Sequence, residues 1–208
     1  MSKPILIIAV HGAGLSGAFY GALAPHLTGL AFKPVTLPGH DARRQAALLA
    51  DIPAMASWLA AEIDAAPAEY DIALLGHSMG ALVALEAAAH TRVRAAVLLG
   101  VAAQMPVNPS LLQAAQDDPP AAAAMMAKWG VFRGHAQAET LRGLLGDIMA
   151  SVPPAALAGD LAACDGYKNA AAAAARIQNP VLVLAADADI MTPLSGAQAL
   201  AEMLPLGA

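Results

Sequence analysis

Ser78 stands in Gly76-His77-Ser78-Met79-Gly80. A serine hydroxyl is a weak nucleophile unless it is held exposed beside a base. A sharp strand-to-helix turn holds it that way. The turn is crowded, which is why the positions two before and two after the serine are glycines. Ala81 is also small, as close packing of the following helix against the strands requires. An apolar run at 71–75 precedes the motif and a helix-compatible stretch at 81–90 follows it, the context a nucleophile turn needs. Acyl transfer develops negative charge on the carbonyl oxygen, and fixed N–H groups stabilise it. The candidate donors are the N–H of Met79, just after the serine, and the N–H of Ala13 in His11-Gly12-Ala13-Gly14. A carboxylate at the carboxyl end of a strand can orient a histidine. Asp187 and Asp189 both qualify by position.

These residues must be carried by a scaffold. Residues 5–10, Ile-Leu-Ile-Ile-Ala-Val, are a continuous apolar run of the kind found in strands buried on both faces. Further strands are expected at 33–37, 71–75, 94–99 and 181–185. Helices are expected at 19–27, 53–65, 81–90 and 193–204, with Thr192 as N-cap and Pro193 at the first helical position. In 53–65, Met55, Leu59 and Ile63 recur every four residues. Strands alternating with helices imply parallel pairing through right-handed crossovers, with helices on both faces.

The rhythm stops between 101 and 175, where Pro106, Pro109, Pro119-Pro120 and Pro153-Pro154 separate short helical pieces. An insertion there is expected to be a cap over the carboxyl edge of the sheet, where ligands bind in open α/β sheets. Met105, Met125 and Trp129 fall inside it. They are candidate substrate-binding residues, since methionine surfaces adapt to apolar ligands; packing of the cap's own core would use the same residues.

Composition bounds the rest. With 208 residues, one domain is expected. Hydrophobic residues make up 58% and charged residues 13%, which argues against disorder. Net charge is −5 and the cations are scattered, so no nucleic-acid surface is expected. A single cysteine, Cys164, permits no internal disulfide and suits a reducing compartment. No signal-peptide layout is visible, and no apolar run reaches the roughly 18 residues of a membrane helix. A cytoplasmic protein is expected, acting on a small molecule, with no metal and no cofactor.

The chain resembles the α/β-hydrolase superfamily, among its small cofactor-free members. The matching pieces are Val10-His11-Gly12-Ala13-Gly14, Leu37-Pro38-Gly39-His40, Gly76-His77-Ser78-Met79-Gly80, and Pro180 to Leu184 leading to Asp189-x-x-x-Pro193. They occur in family order across nearly the whole chain. The resemblance implies Ser78 as nucleophile, Asp189 rather than Asp187 as triad acid, and carboxylic ester hydrolysis. It also allows C–C bond hydrolysis, haloperoxidase-like or lyase chemistry, or a non-catalytic binding member.

The family's catalytic histidine follows one more strand beyond the acid. No histidine follows Asp189 here. The last strand and histidine loop are therefore expected to be missing, leaving this form impaired and its fifth strand as a bare edge. Such edges favour aggregation or pairing into a homodimer. Among the histidines present, His77 is expected to face away from the site and His40 to sit near the pocket rim. His26 and His90 read as surface residues, and His135 lies in the cap.

Overall fold

The computed structural model describes residues 3–207. Five strands form one wholly parallel sheet in the order β2-β1-β3-β4-β5. They are β1 (Ile5–Val10), β2 (Ala31–Val35), β3 (Asp71–His77), β4 (Val93–Leu99) and β5 (Val181–Leu184). The order reverses at β1, so β1 and β3 lie side by side at the centre and their carboxyl ends open together. Ala9 pairs with Leu75 and Val10 with Gly76, which brings the two loops bearing the chemistry next to each other.

Alternation along the strands sorts side chains to two faces. Leu6, Ile8 and Val10 of β1, with Ile72 and Leu74 of β3, face the main core. There they meet α1 (Ile52–Asp64) and α2 (Met79–Ala87). Helix α1 forms where Asp51 accepts a hydrogen bond from Ala54 N–H at 2.8 Å, with Pro53 in the first turn. Its buried Ile52, Met55, Leu59 and Ile63 form one stripe. The opposite face is covered by 3-10 turns at Gly17–Ala22 and Ala24–His26, not by the regular helix expected at 19–27. Gly17, Gly21 and Pro25 make that stretch a poor α-helix. Tyr20 anchors this face, its hydroxyl donating to the Val10 carbonyl at 2.8 Å. Helical cover is thus present on both faces but unequal, and Leu182 and Leu184 of β5 remain about two-fifths exposed.

Between β4 and β5 run α3 (Pro109–Asp117), α4 (Pro119–Gly130), α5 (Ala138–Ser151), α6 (Pro154–Gly166) and α7 (Ala170–Ala174). The prolines begin helices here: Pro109, Pro119 and Pro154 each stand at a helix start, and Asn108 and Asp118 cap two of them. Helices α3, α4 and α6 pack on one another, whereas α7 packs on α2 in the sheet's helical layer. The insertion therefore divides, and only its first four helices stand clear of that layer. Helix α8 (Leu194–Met203) follows β5. Beyond it, Val181 N–H donates to the Leu206 carbonyl and Val181 bridges to Gly207, so the β5 edge is partly occupied. No helix among the described residues is long and apolar enough to cross a membrane.

Candidate active site

Ser78 lies at the junction of β3 and α2 with φ 53° and ψ −119°. This is a conformation that non-glycine residues rarely adopt, and holding it costs on the order of 1–3 kcal/mol. Packing imposes it. Ser78 N–H donates to the Leu99 carbonyl at 2.8 Å, and the Ser78 carbonyl accepts from Ala81 N–H at 2.8 Å. A Cβ on Gly76 would overlap the Gly80 carbonyl, and one on Gly80 would overlap the Val10 carbonyl. The two glycines thus let α2 lie directly against β1 and β3.

The His11–Gly14 loop leaves β1 immediately beside this turn. Ala13 is buried and lines, with Ser78, both cavities that meet at the turn. Among the described residues, neither Ala13 N–H nor Met79 N–H donates to a protein acceptor. Met79 is the first residue of α2, where N–H groups have no partner within the helix.

The larger cavity, about 290 Å³, runs under the inserted helices and is lined by Met105, Leu111, Met126 and Trp129 among others. Met125 is not in its wall; it packs half-buried against the core, and its neighbour Met126 takes the cavity position. One residue along a helix is a turn of about 100°, which decides which methionine faces inward. The second cavity, about 170 Å³, holds Asp189 with Ser78.

Asp189 and Asp187 are sharply different in the structure. Asp187 is exposed. Asp189 is partly buried, and its Oδ1 accepts from Met191 N–H at 2.8 Å and Thr192 N–H at 2.9 Å. Its Oδ2 accepts from the Thr192 hydroxyl at 2.6 Å. Thr192 therefore holds the carboxylate instead of capping α8, whose N-cap is Pro193.

A thioesterase-domain family model matches residues 4–144, well over half of the chain. The chain belongs to the thioesterase domain family. The thioesterase-domain chain also has the α/β-hydrolase fold of many solved structures. An esterase from Exiguobacterium antarcticum superposes with a TM-score of 0.84 at 16% identity, over 99% of this chain and 82% of that one. A bromoperoxidase from Bacillus anthracis gives 0.86 at 17%, over 98% and 81%. The type II thioesterase BorB of the borrelidin biosynthetic cluster gives 0.73 at 22%, over 99% and 82%. No curated protein matches. By family and fold, the thioesterase-domain chain is an enzyme of the α/β-hydrolase type.

Some histidines of this thioesterase-domain chain lie where spacing puts them and others do not. His26 and His135 are exposed, and His90 is half-buried beside Asp64 at 3.1 Å. His77, which spacing places facing away from the site, is among the residues lining the smaller cavity with Ser78 and Asp189. Its ring stacks on Phe19 with centroids 4.5 Å apart, and its Nδ1 is buried without a partner. Burial lowers the His77 pKa to about 4, against the opposing pull of the Asp189 charge. His40, expected at the rim, is 1% exposed and paired with Asp160 at 2.9 Å. Burial alone would lower the His40 pKa. The hydrogen bond and charge of Asp160 outweigh that, aided by the Pro38 and Leu37 carbonyls, and the net shift is upward. His11 is fully buried and lowered to about 3, first by burial and then by the charge on His40. Among the described residues, no group of three or more His, Cys, Asp or Glu is placed to hold a metal ion.

These shifts set a pH dependence of stability. His11 and His77 are neutral when folded and bind protons near pH 6.5 when unfolded. Unfolding then takes up protons between pH 6.5 and 4, so stability falls on acidification. The drop from 6.5 to about 4 at His77 corresponds to roughly 3 kcal/mol when complete. His40 acts the other way: its contribution is whole below pH 6.5 and is lost as pH rises through its elevated value. Urea midpoints should therefore be highest near pH 6.5 and fall by pH 5, a range where few ordinary carboxylates titrate. His77→Gln should flatten that slope; equal midpoints at pH 7 and 5 for the unaltered chain would contradict the assignment.

Proposed function

We propose that this chain is a serine acyl hydrolase that cleaves carboxylic esters or thioesters of small, apolar acyl groups. Ser78 attacks the carbonyl, the N–H groups of Ala13 and Met79 receive the oxyanion, and Asp189 is the acid of the relay. The observation that carries this reading is the Ser78 turn: a hydroxyl in a strained backbone conformation, opening into a cavity beside two N–H groups with no protein acceptor. Met105, Met126 and Trp129 supply an apolar wall for the acyl chain.

His77 is the histidine that shares a cavity with Ser78 and Asp189. A base with a pKa near 4 takes a serine proton poorly at neutral pH, so turnover by this 208-residue chain is read as impaired. The buried, unpaired Cys164 supports a reducing, cytoplasmic setting.

A fluorophosphonate probe followed by peptide mapping tests the reading, together with a panel of short p-nitrophenyl esters and acyl thioesters. Expected are slow labelling confined to Ser78 and measurable turnover of short apolar acyl groups. Prolonged exposure with no adduct at Ser78 would favour a protein that binds acyl compounds without cleaving them.

A further inference from the structure

Helix α6 places two side chains on the loop that carries Ala13. Gly14 has φ +65°, and a Cβ there would meet Leu157 Cδ1 at 2.7 Å. One turn further along α6, Asp160 Oδ2 accepts from Gly14 N–H at 2.8 Å. The same oxygen accepts from His40 Nε2 at 2.9 Å, and both side chains are 1% exposed. His40 Nδ1 donates to the Pro38 carbonyl at 3.0 Å. Beside it, with ring centroids 5.0 Å away, His11 accepts from Leu37 N–H at 3.1 Å and donates to the Gly12 carbonyl at 2.9 Å.

The consequence is geometric. The Gly12 carbonyl and the Ala13 N–H belong to one rigid peptide plane. His11 holds that plane by its carbonyl, so the Ala13 N–H points the other way. The next plane, Ala13–Gly14, is held by its N–H on Asp160. Both planes flanking the Ala13 Cα are thereby fixed. Neither Asp160 nor His40 lines either cavity at Ser78, so they act on the site only through the loop.

We propose that Asp160 is a positioning residue that, with His40, orients the Ala13 N–H and makes the oxyanion site conditional on docking of α6. This rests on the acyl hydrolase reading given above. A buried ion pair is a poor way to gain stability alone, because desolvating both charges offsets their attraction. Apolar side chains would fill the same space. What a carboxylate adds is an acceptor aimed at one particular amide.

The test compares Asp160→Asn and Asp160→Ala with the unaltered chain in two arms. The first is amide hydrogen exchange. Exchange at residues 12–15 should rise at least about tenfold in Asp160→Ala and less in Asp160→Asn, which keeps an acceptor for Gly14, while β3 amides stay unchanged. The second is the fluorophosphonate rate at Ser78, split into the bonding step and the preceding affinity. The bonding step should fall at least about tenfold in Asp160→Ala with affinity within about twofold, and Asp160→Asn should recover part of it. A general loss of packing would move affinity and β3 exchange as well. If the alanine variant does not fold, the near-isosteric asparagine variant decides: unaltered exchange and bonding rate there would overturn the proposal. Absence of labelling in the unaltered chain counts against the hydrolase reading alone, since the exchange arm judges Asp160 without it.

Discussion

Gly80→Ala should leave the chain with little stable native structure. The added Cβ would overlap the Val10 carbonyl oxygen and lie 2.7 Å from its carbonyl carbon. Both atoms are backbone at the end of central strand β1, so no rotamer change relieves the clash. Relief requires α2 to lift from the sheet, and all but one of its residues, Glu86, are buried. Overpacking a core typically costs about 1–3 kcal/mol. With rigid backbone on both sides, a cost above about 4 kcal/mol is expected, a large part of a domain's total stability. Gly143→Ala is the control: it sits on exposed α5 with nothing within 4 Å of an added Cβ. That change should stabilise by up to about 1 kcal/mol. Thermal unfolding followed by circular dichroism separates the two, and a Gly80→Ala chain melting within about 2 °C of the original would refute the close approach of α2 to β1.

Ser78→Gly should move stability and reactivity in opposite directions. Serine at φ 53° is strained, whereas glycine adopts positive φ freely. Removing the side chain should raise stability by about 1 kcal/mol, the relieved strain being partly offset by the greater freedom of glycine in the unfolded chain. The same change removes the nucleophile, so acyl transfer and fluorophosphonate labelling should vanish. Ser78→Ala should also abolish labelling but gain no stability, since alanine shares the strain. Loss of a catalytic serine can cost up to roughly 10⁶-fold where the base is strong. Here the drop should be smaller, because a weak base has already lowered the starting rate. Labelling that persists in either variant would remove Ser78 from the chemistry.

The sheet was readable from the sequence because buried parallel strands carry continuous apolar runs. Residues 5–10 match β1 and 94–99 fall within β4. The 33–37 run sits two residues late against Ala31–Val35, since Thr36-Leu37 belongs to the loop leading to His40. The segment 19–27 is not a regular helix, because Gly21 and Pro25 outweigh its apolar spacing.

The candidate site was legible where backbone geometry is local. Two glycines mark the Ser78 turn, and the family resemblance picks out Asp189 by the proline four residues on. What depends on contacts between distant segments left no local trace. Asp160 meets Gly14 across 146 positions and His40 across 120. Nothing in Ala158-Gly159-Asp160-Leu161 separates a buried acceptor from a solvated acid. The seating of the His77 ring likewise depends on Phe19, and the exchange of Met125 for Met126 depends on how α4 is rotated over the sheet.

The bond from α6 back to Gly14 joins regions synthesised far apart, with Ser78 and β4 between them. A piece ending before residue 160 lacks the acceptor, and one beginning after residue 14 lacks the amide it holds. The arrangement therefore forms only when the first strand's loop and α6 have come together, and not within any one local segment.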